Sequence, residues 1–228
     1  MDKKRDRRVG GRALWQTLLA GAVGVTAVVT MVPAYLSLQA KARQVSGLQN
    51  LQQWGIALNL HLMDNANQLP ETGSSAVVPE QRNAWYNSLP EYIGERALAD
   101  RPVGQRPRPG DKSLWMDPAA KPLQAIPEES FYFNYGMNKF LQPDPTDRTA
   151  RVTDFGRPGQ VVFMTRVSGY TPWVIPDEVV FPSARSGPME VRAATPVLFC
   201  DGHTELLDAG RLIGEPSGNS VIWFAPKD

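Results

Sequence analysis

The stretch ALWQTLLAGAVGVTAVVTMVPAYL, residues 13–36, decides the fold because it is apolar and carries no charged side chain. Its central part, Leu18 to Leu36, is 19 residues long. As a helix it covers about 28 Å, close to the thickness of the hydrocarbon layer of a bilayer. No other stretch of the sequence is as long and as free of charged residues as residues 13–36. The sequence therefore predicts one N-terminal transmembrane helix.

The flanking charges predict how this helix is oriented. Residues 1–12, MDKKRDRRVGGR, hold six Lys and Arg side chains and two Asp side chains. Because basic flanks stay on the cytoplasmic side, we expect a single-pass protein of the inner (cell) membrane with a cytoplasmic N-terminus and a periplasmic, or otherwise extracytoplasmic, C-terminal domain. A secretory signal cleaved near Ala40 or Ala42 is the alternative. The single Cys200 excludes an intramolecular disulfide.

A second helical stretch, residues 37–69, continues from the first. It has apolar positions spaced by three, four and seven residues, which predicts an amphipathic helix that packs on a soluble domain. Pro70 is expected to end this helix, and Pro33 to bend it rather than break it. The stripe consists of Leu38, Val45, Leu48, Leu51, Gly55, Leu58 and Leu62.

The remainder, residues 70–228, is rich in Pro and Gly and predicts one α+β domain. Short runs with β-branched or aromatic residues are the candidate strands of a small antiparallel sheet. They are residues 114–116, 131–133, 161–164, 197–200 and 221–224.

Four segments in order then point to a family. They are KARQVSGLQNLQQWGIALNLHLMDNANQLP (41–70), YNSLPEYIG (86–94), YGMN (135–138) and VLFCDGHTELL (197–207). Together with the N-terminal helix, they resemble type IV pilin-like proteins, including type II secretion pseudopilins, and more narrowly the planctomycete and verrucomicrobial prepilin-like group. The resemblance implies a pilin-like α+β fold, in which a long N-terminal helix, membrane-spanning in its first half, packs on a small antiparallel sheet.

The resemblance also implies roles for residues of the first helix. A leader peptidase would cut after Gly11 and methylate Arg12, and Pro33 would occupy the position of the kinking proline in pilin helices. Gln16 stands where the group has Glu, and Arg12 where it has Phe. The sequence therefore does not decide whether the leader is cleaved and methylated or whether the chain enters a filament. We favour a minor or accessory subunit for that reason.

Two further departures concern cysteines of the group, whose positions are Gly47 and Asp117 here.

Small residues in the membrane helix, namely Ala20, Gly21 and Gly24, allow close helix packing in lipid, with Gln16 as a polar contact.

The expected function is therefore non-enzymatic. The chain would act by helix bundling with related pilin-like subunits and an inner-membrane assembly platform, in contact with membrane lipid and without nucleic acid. An alternative is a non-polymerising, membrane-tethered module that binds a glycan or an envelope protein through exposed tryptophans. We expect those tryptophans in the core instead; they are Trp85, Trp115, Trp173 and Trp223.

Few residues suggest chemistry. Asp201, His203 and Glu205 alternate after a strand, as a metal site or an acid/base set of an anchored hydrolase would. The favoured interpretation is a tight Asp-Gly turn followed by an exposed strand. No cofactor is expected; a Ca²⁺ site that includes Asp201 is the less favoured alternative, because no loop has enough oxygen ligands at a recognisable spacing. His61 and Asp64, one helical turn apart, are interpreted as a polar helix end rather than half a metal site.

Overall fold

The computed structural model describes residues 7–119, 127–142, 148–181, 194–213 and 221–223, with side chains of the first helix described at Val32 and from Tyr35 onward. The helices are α1 (Arg7–Asp64), α2 (Trp85–Ser88) and α3 (Ala209–Ile213). The strands are β1 (Phe133–Asn138), β2 (Val162–Gly169), β3 (Trp173–Val174), β4 (Ala194–Phe199) and β5 (Thr204–Asp208). The fold is thus α+β, with a long N-terminal helix on a five-stranded sheet, as the sequence predicted.

Helix α1 is 58 residues long, which corresponds to about 85 Å. It ends at Asp64 rather than at residue 69. Ala66 and Asn67 adopt positive φ angles of 52° and 61°, a left-handed conformation that stops the helix before Pro70 is reached. Asparagine tolerates this conformation better than most residues.

The sheet has the order β3-β1-β2-β4-β5 and is mixed rather than antiparallel. The pairs β1–β2, β2–β4 and β4–β5 are antiparallel, but β3 runs parallel to β1, with Met137 opposite Trp173. The connection from β2 leads to the free edge of β1, where the amide of Met137 donates to the carbonyl of Pro172 at 3.0 Å. Strand β3 therefore runs in the same direction as β1. The positions of apolar runs in the sequence do not reveal the direction of such a pairing.

Two of the five predicted strands coincide with observed ones. Residues 161–164 overlap β2 and residues 197–200 overlap β4, whereas residues 131–133 only reach the start of β1. The run 114–116 forms a turn, and its apolar side chains Trp115 and Met116 are buried without strand pairing. In the last run, the described residues 221–223 contribute one bridge, between Ile222 and Val161.

Aromatic side chains fill the space between α1 and the segments that cover it. The ring of Trp54 lies edge-on to Trp115 at 4.9 Å and to Trp85 at 5.6 Å between centroids. Trp223 is also buried, so the core position expected for Trp85, Trp115 and Trp223 is confirmed, while Trp173 is half-buried. Edge-to-face pairs of this kind stabilise a core by about 0.5–1.5 kcal/mol beyond the area that they bury.

Helix α1 approaches the domain closely at two glycines. A Cβ on Gly55 would lie 2.5 Å from the carbonyl oxygen of Gly202, in the turn between β4 and β5. A Cβ on Gly47 would lie 2.7 Å from Oδ2 of Asp117. The two positions that depart from the cysteines of the resembling group therefore face each other across this contact.

Candidate functional site

Helix α1 has two opposite apolar faces along its second half. The inner face lies on the sheet and is buried through Leu51, Trp54, Leu58 and Leu62. At 100° per residue, a second set of apolar side chains projects from the other side of the helix. We name this set the outer stripe; its members are Leu38, Val45, Ile56, Leu60 and Met63.

The outer stripe is exposed, from 39% at Leu60 to 78% at Met63. Leu38 and Val45 were predicted to pack on the domain, but they are 65% and 49% exposed. They project away because, at 100° per residue, they lie on the side of α1 opposite the buried face that includes Leu51. Leu51, Leu58 and Leu62 are buried as predicted.

The surface around the outer stripe lacks charge. From Gln44 to Met63 the sequence contains no Asp, Glu, Lys or Arg. Gln49, Gln52 and Gln53 are exposed between the apolar positions. A helix that faces only water normally carries charged residues on its outer side, so this surface has the composition of an interface.

The residues for which the sequence predicted leader cleavage or helix packing lie within α1. Gly11, Arg12, Gln16, Ala20, Gly21, Gly24 and Pro33 are helical, but their side chains lie outside the described part of the structure, as do residues 1–6 entirely. In the portion of the chain whose placement is described, no helix meets the length and hydrophobicity that a membrane crossing requires.

Asp201 and His203 come together, but Glu205 does not join them. His203 Nδ1 and its backbone amide lie 2.5 Å and 3.0 Å from Asp201 Oδ1, in the turn that precedes β5. The His203 ring stacks on Phe199 at 4.4 Å. Glu205 pairs instead with Arg211, at 3.2 Å.

This geometry is that of the tight turn that we favoured. Gly202 has a φ of +87°, which glycine adopts without strain, and its amide donates to the carbonyl of Phe199 at 2.9 Å. Within the described ranges, no three His, Cys, Asp or Glu side chains form a group that could hold a metal ion.

A pocket of about 470 Å³ lies where the last turns of α1 meet residues 82–100. We name it the distal pocket; its lining includes His61, Arg82, Glu91, Tyr92, Arg96 and Asp100. The sequence analysis missed it because its walls come from segments that are distant in sequence. Several Asn and Arg residues in 82–96 line the pocket, but their spacing in the sequence does not indicate one.

His61 was interpreted as part of a polar helix end, and it is in fact mostly buried, at 7% exposure. Its ring lies edge-on to Tyr92 at 5.8 Å, and the Asn65 amide donates to its Nδ1 at 3.3 Å. Burial lowers the pKa of His61, and the nearby Asp64 carboxylate opposes this only in part. The imidazole is therefore neutral at pH 7.

No protein-family profile, no curated protein and no solved structure matches the chain.

Proposed function

We propose that this chain is a structural or accessory type IV pilin-like, pseudopilin-like subunit of a type II secretion or pilus-like system. In this proposal residues 13–36 span the inner membrane, with the N-terminus in the cytoplasm and the α+β domain outside. The protein has no catalytic role and acts through contacts between α1 and the helices of related subunits at an assembly platform.

The observation that carries the proposal is the uncharged outer stripe. The inner face of α1 already holds the domain, so the outer stripe is available for a second partner. Its side chains are exposed over about 37 Å of helix, from Leu38 to Met63. Apolar helix faces of this length are typically buried against another helix.

The membrane half of the helix supports the same mode of association. Small residues at Ala20, Gly21 and Gly24 permit close helix approach in lipid, and Gln16 can donate a hydrogen bond across the bundle. Both halves of α1 would then contribute to one continuous helix–helix contact. Gln16 supplies no negative charge, which favours an accessory position over the repeating building block.

Cysteine cross-linking tests this proposal directly. We expect Ile56→Cys in the full-length protein, oxidised in native membranes, to yield disulfide-linked subunits. The matched control is Gly104→Cys, an exposed position with no neighbouring atom within 4 Å of an added Cβ. The native Cys200 does not interfere, because it is buried and its pKa is raised well above the ordinary thiol value by that burial. Equal cross-linking of both variants, or of neither, would refute the proposal.

The alternative of a tethered module that grips its ligand through tryptophans is less well supported. Trp85, Trp115 and Trp223 are each at most 6% exposed, and Trp173 is half-buried, so these four rings form no open aromatic platform.

A further inference from the structure

The distal pocket has a fixed wall. Asn87 is buried, and its amide nitrogen donates to the carbonyls of Val78 and Gln81 at 3.3 and 2.9 Å. Its amide oxygen accepts from the backbone of Ala99 at 3.0 Å. One side chain thus ties three segments together beside α1. A pocket that is already shaped loses less entropy when it binds a ligand.

The pocket has no net charge. Arg82 and Arg96 are matched by Glu91 and Asp100, and Arg82 Nη1 lies 3.1 Å from Asp100 Oδ2 at the rim. His61 adds no charge at pH 7, because its burial keeps it neutral. This balance disfavours strongly anionic and strongly cationic ligands and favours uncharged ones.

The side chains that line the distal pocket are mostly polar. Of the lining side chains, Ala97 is the one without a polar group. Peptide ligands usually bury apolar side chains in pockets, and this pocket offers few surfaces for them. The guanidinium of Arg96 and the carboxylate of Glu91 each present paired hydrogen-bonding atoms, which suit ligands with neighbouring hydroxyl groups.

One aromatic ring completes the pocket. Tyr92 is half-buried and is held edge-on to His61 at an interplanar angle of 88°. A ring fixed in this way offers an apolar face next to the polar groups. The volume of about 470 Å³ falls in the range of small-ligand pockets, which is about 300–1,000 Å³.

We propose that the distal pocket binds a neutral saccharide of one or two sugar rings. Its charged groups bind the hydroxyls, and Tyr92 contacts the apolar side of a ring. The pocket lies at the C-terminal end of α1, at the opposite end of the helix from residues 13–36. Saccharide binding goes beyond the proposed assembly function and does not depend on whether the chain polymerises.

The test is calorimetric titration of the full-length chain in lipid nanodiscs, which avoid detergents with sugar headgroups. The probes are cellobiose, maltose and diacetylchitobiose. We expect saturable binding of at least one of them. Glu91→Ala and Arg96→Ala should each weaken it about tenfold, since each removes a charge-assisted hydrogen bond.

Two exposed residues outside the pocket provide matched controls. Glu178→Ala and Arg157→Ala remove the same side-chain types and should change the dissociation constant by less than about twofold. Pocket variants that melt at the parent temperature exclude misfolding as the cause of a loss.

Three results would overturn the proposal. One is the absence of saturable binding of all three sugars up to about 10 mM. Another is binding that Glu91→Ala and Arg96→Ala leave unchanged. The third is a peptide from a random library that binds in a way sensitive to these two variants while the sugars do not bind.

Discussion

Nε of Arg166 lies 2.7 Å from Oδ2 of Asp117, and neither side chain has any exposed surface. Oδ1 of the same carboxylate accepts from the amide of Ala119 at 2.7 Å, and the amide of Asp117 donates to Asn134 at 3.1 Å. In the described part of the chain, the two terminal nitrogens of Arg166 have no hydrogen-bond partner. Asp117 is therefore the group that offsets the buried guanidinium charge.

Removing the charge of Asp117 should destabilise the domain strongly. We expect Asp117→Asn to lower the free energy of unfolding by about 3–5 kcal/mol, because it leaves a buried cation uncompensated. Urea denaturation measures this, with the exposed Asp111→Asn as the control. The double variant Asp117→Leu, Arg166→Met should recover most of the loss, since an apolar pair needs no desolvation. An unchanged urea midpoint for Asp117→Asn would contradict this account.

Alanine at Gly55 tests the contact of α1 with the β4–β5 turn. Helix propensity alone would favour alanine by about 1 kcal/mol. The added Cβ, however, would lie 2.5 Å from a backbone oxygen that cannot rotate away. We expect a net destabilisation of about 1–3 kcal/mol, measured by thermal unfolding. Gly104→Ala, with open space around it, should be neutral, and a stabilised Gly55→Ala would mean that the helix sits further from the turn.

The lowered pKa of His61 predicts a pH dependence of stability. Below its ordinary pKa of 6.5, the unfolded chain binds a proton that the folded chain does not yet bind. Stability is therefore complete above pH 6.5 and falls as the pH drops from 6.5 toward the folded-state pKa. His61→Gln should flatten this part of the profile of unfolding free energy against pH. His203→Gln, at a 40% exposed side chain, serves as the comparison. Parallel profiles for parent and His61→Gln would contradict the prediction.

Charge placed on the outer stripe should separate assembly from folding. Ile56→Glu is expected to change the unfolding free energy by less than about 0.5 kcal/mol, because Ile56 is 50% exposed. The same variant should abolish cross-linking from a cysteine at Met63 in native membranes. Leu58→Glu, in contrast, should unfold the domain, because Leu58 is fully buried. Cross-linking that survives Ile56→Glu would place the contact elsewhere.

The start of the mature chain tests the proposed leader. Intact mass and N-terminal sequencing of protein from native membranes should show a chain that begins at Arg12. A chain that begins at Met1 would indicate a permanent anchor without processing. A start near Lys41 would indicate a secreted protein and would contradict the membrane proposal.

Local pattern was sufficient to predict the long helix, the Asp-Gly turn and the burial of Leu51, Leu58 and Leu62. It failed where non-local contacts decide. Residues 114–116 look like a strand, but Trp115 is buried by edge-to-face packing against Trp54 rather than by strand pairing. The parallel pairing of β3 depends on where its connection leads, which hydrophobic periodicity does not record.

The candidate sites were less predictable than the fold. Leu38 and Val45 fit a run of three-, four- and seven-residue spacings, but at 100° per residue they fall on the outer side of α1, opposite Leu51. Asp201 and His203 are close because they are two residues apart in a turn, whereas Glu205 contacts an arginine six residues further on. The distal pocket needs α1 and residues 82–100 together, and no short motif reports such a juxtaposition.

The contact between Gly55 and Gly202 has a mechanical consequence. Sliding the sheet by one residue along α1 would drive a side chain into the backbone on the opposite surface. The close contact between α1 and the turn at Gly202 therefore opposes sliding of the helix along the sheet. A force along α1 would therefore act on the turn between β4 and β5 through Gly55 and Gly202. In the proposed subunit, tension along α1 would pass to the sheet through this contact.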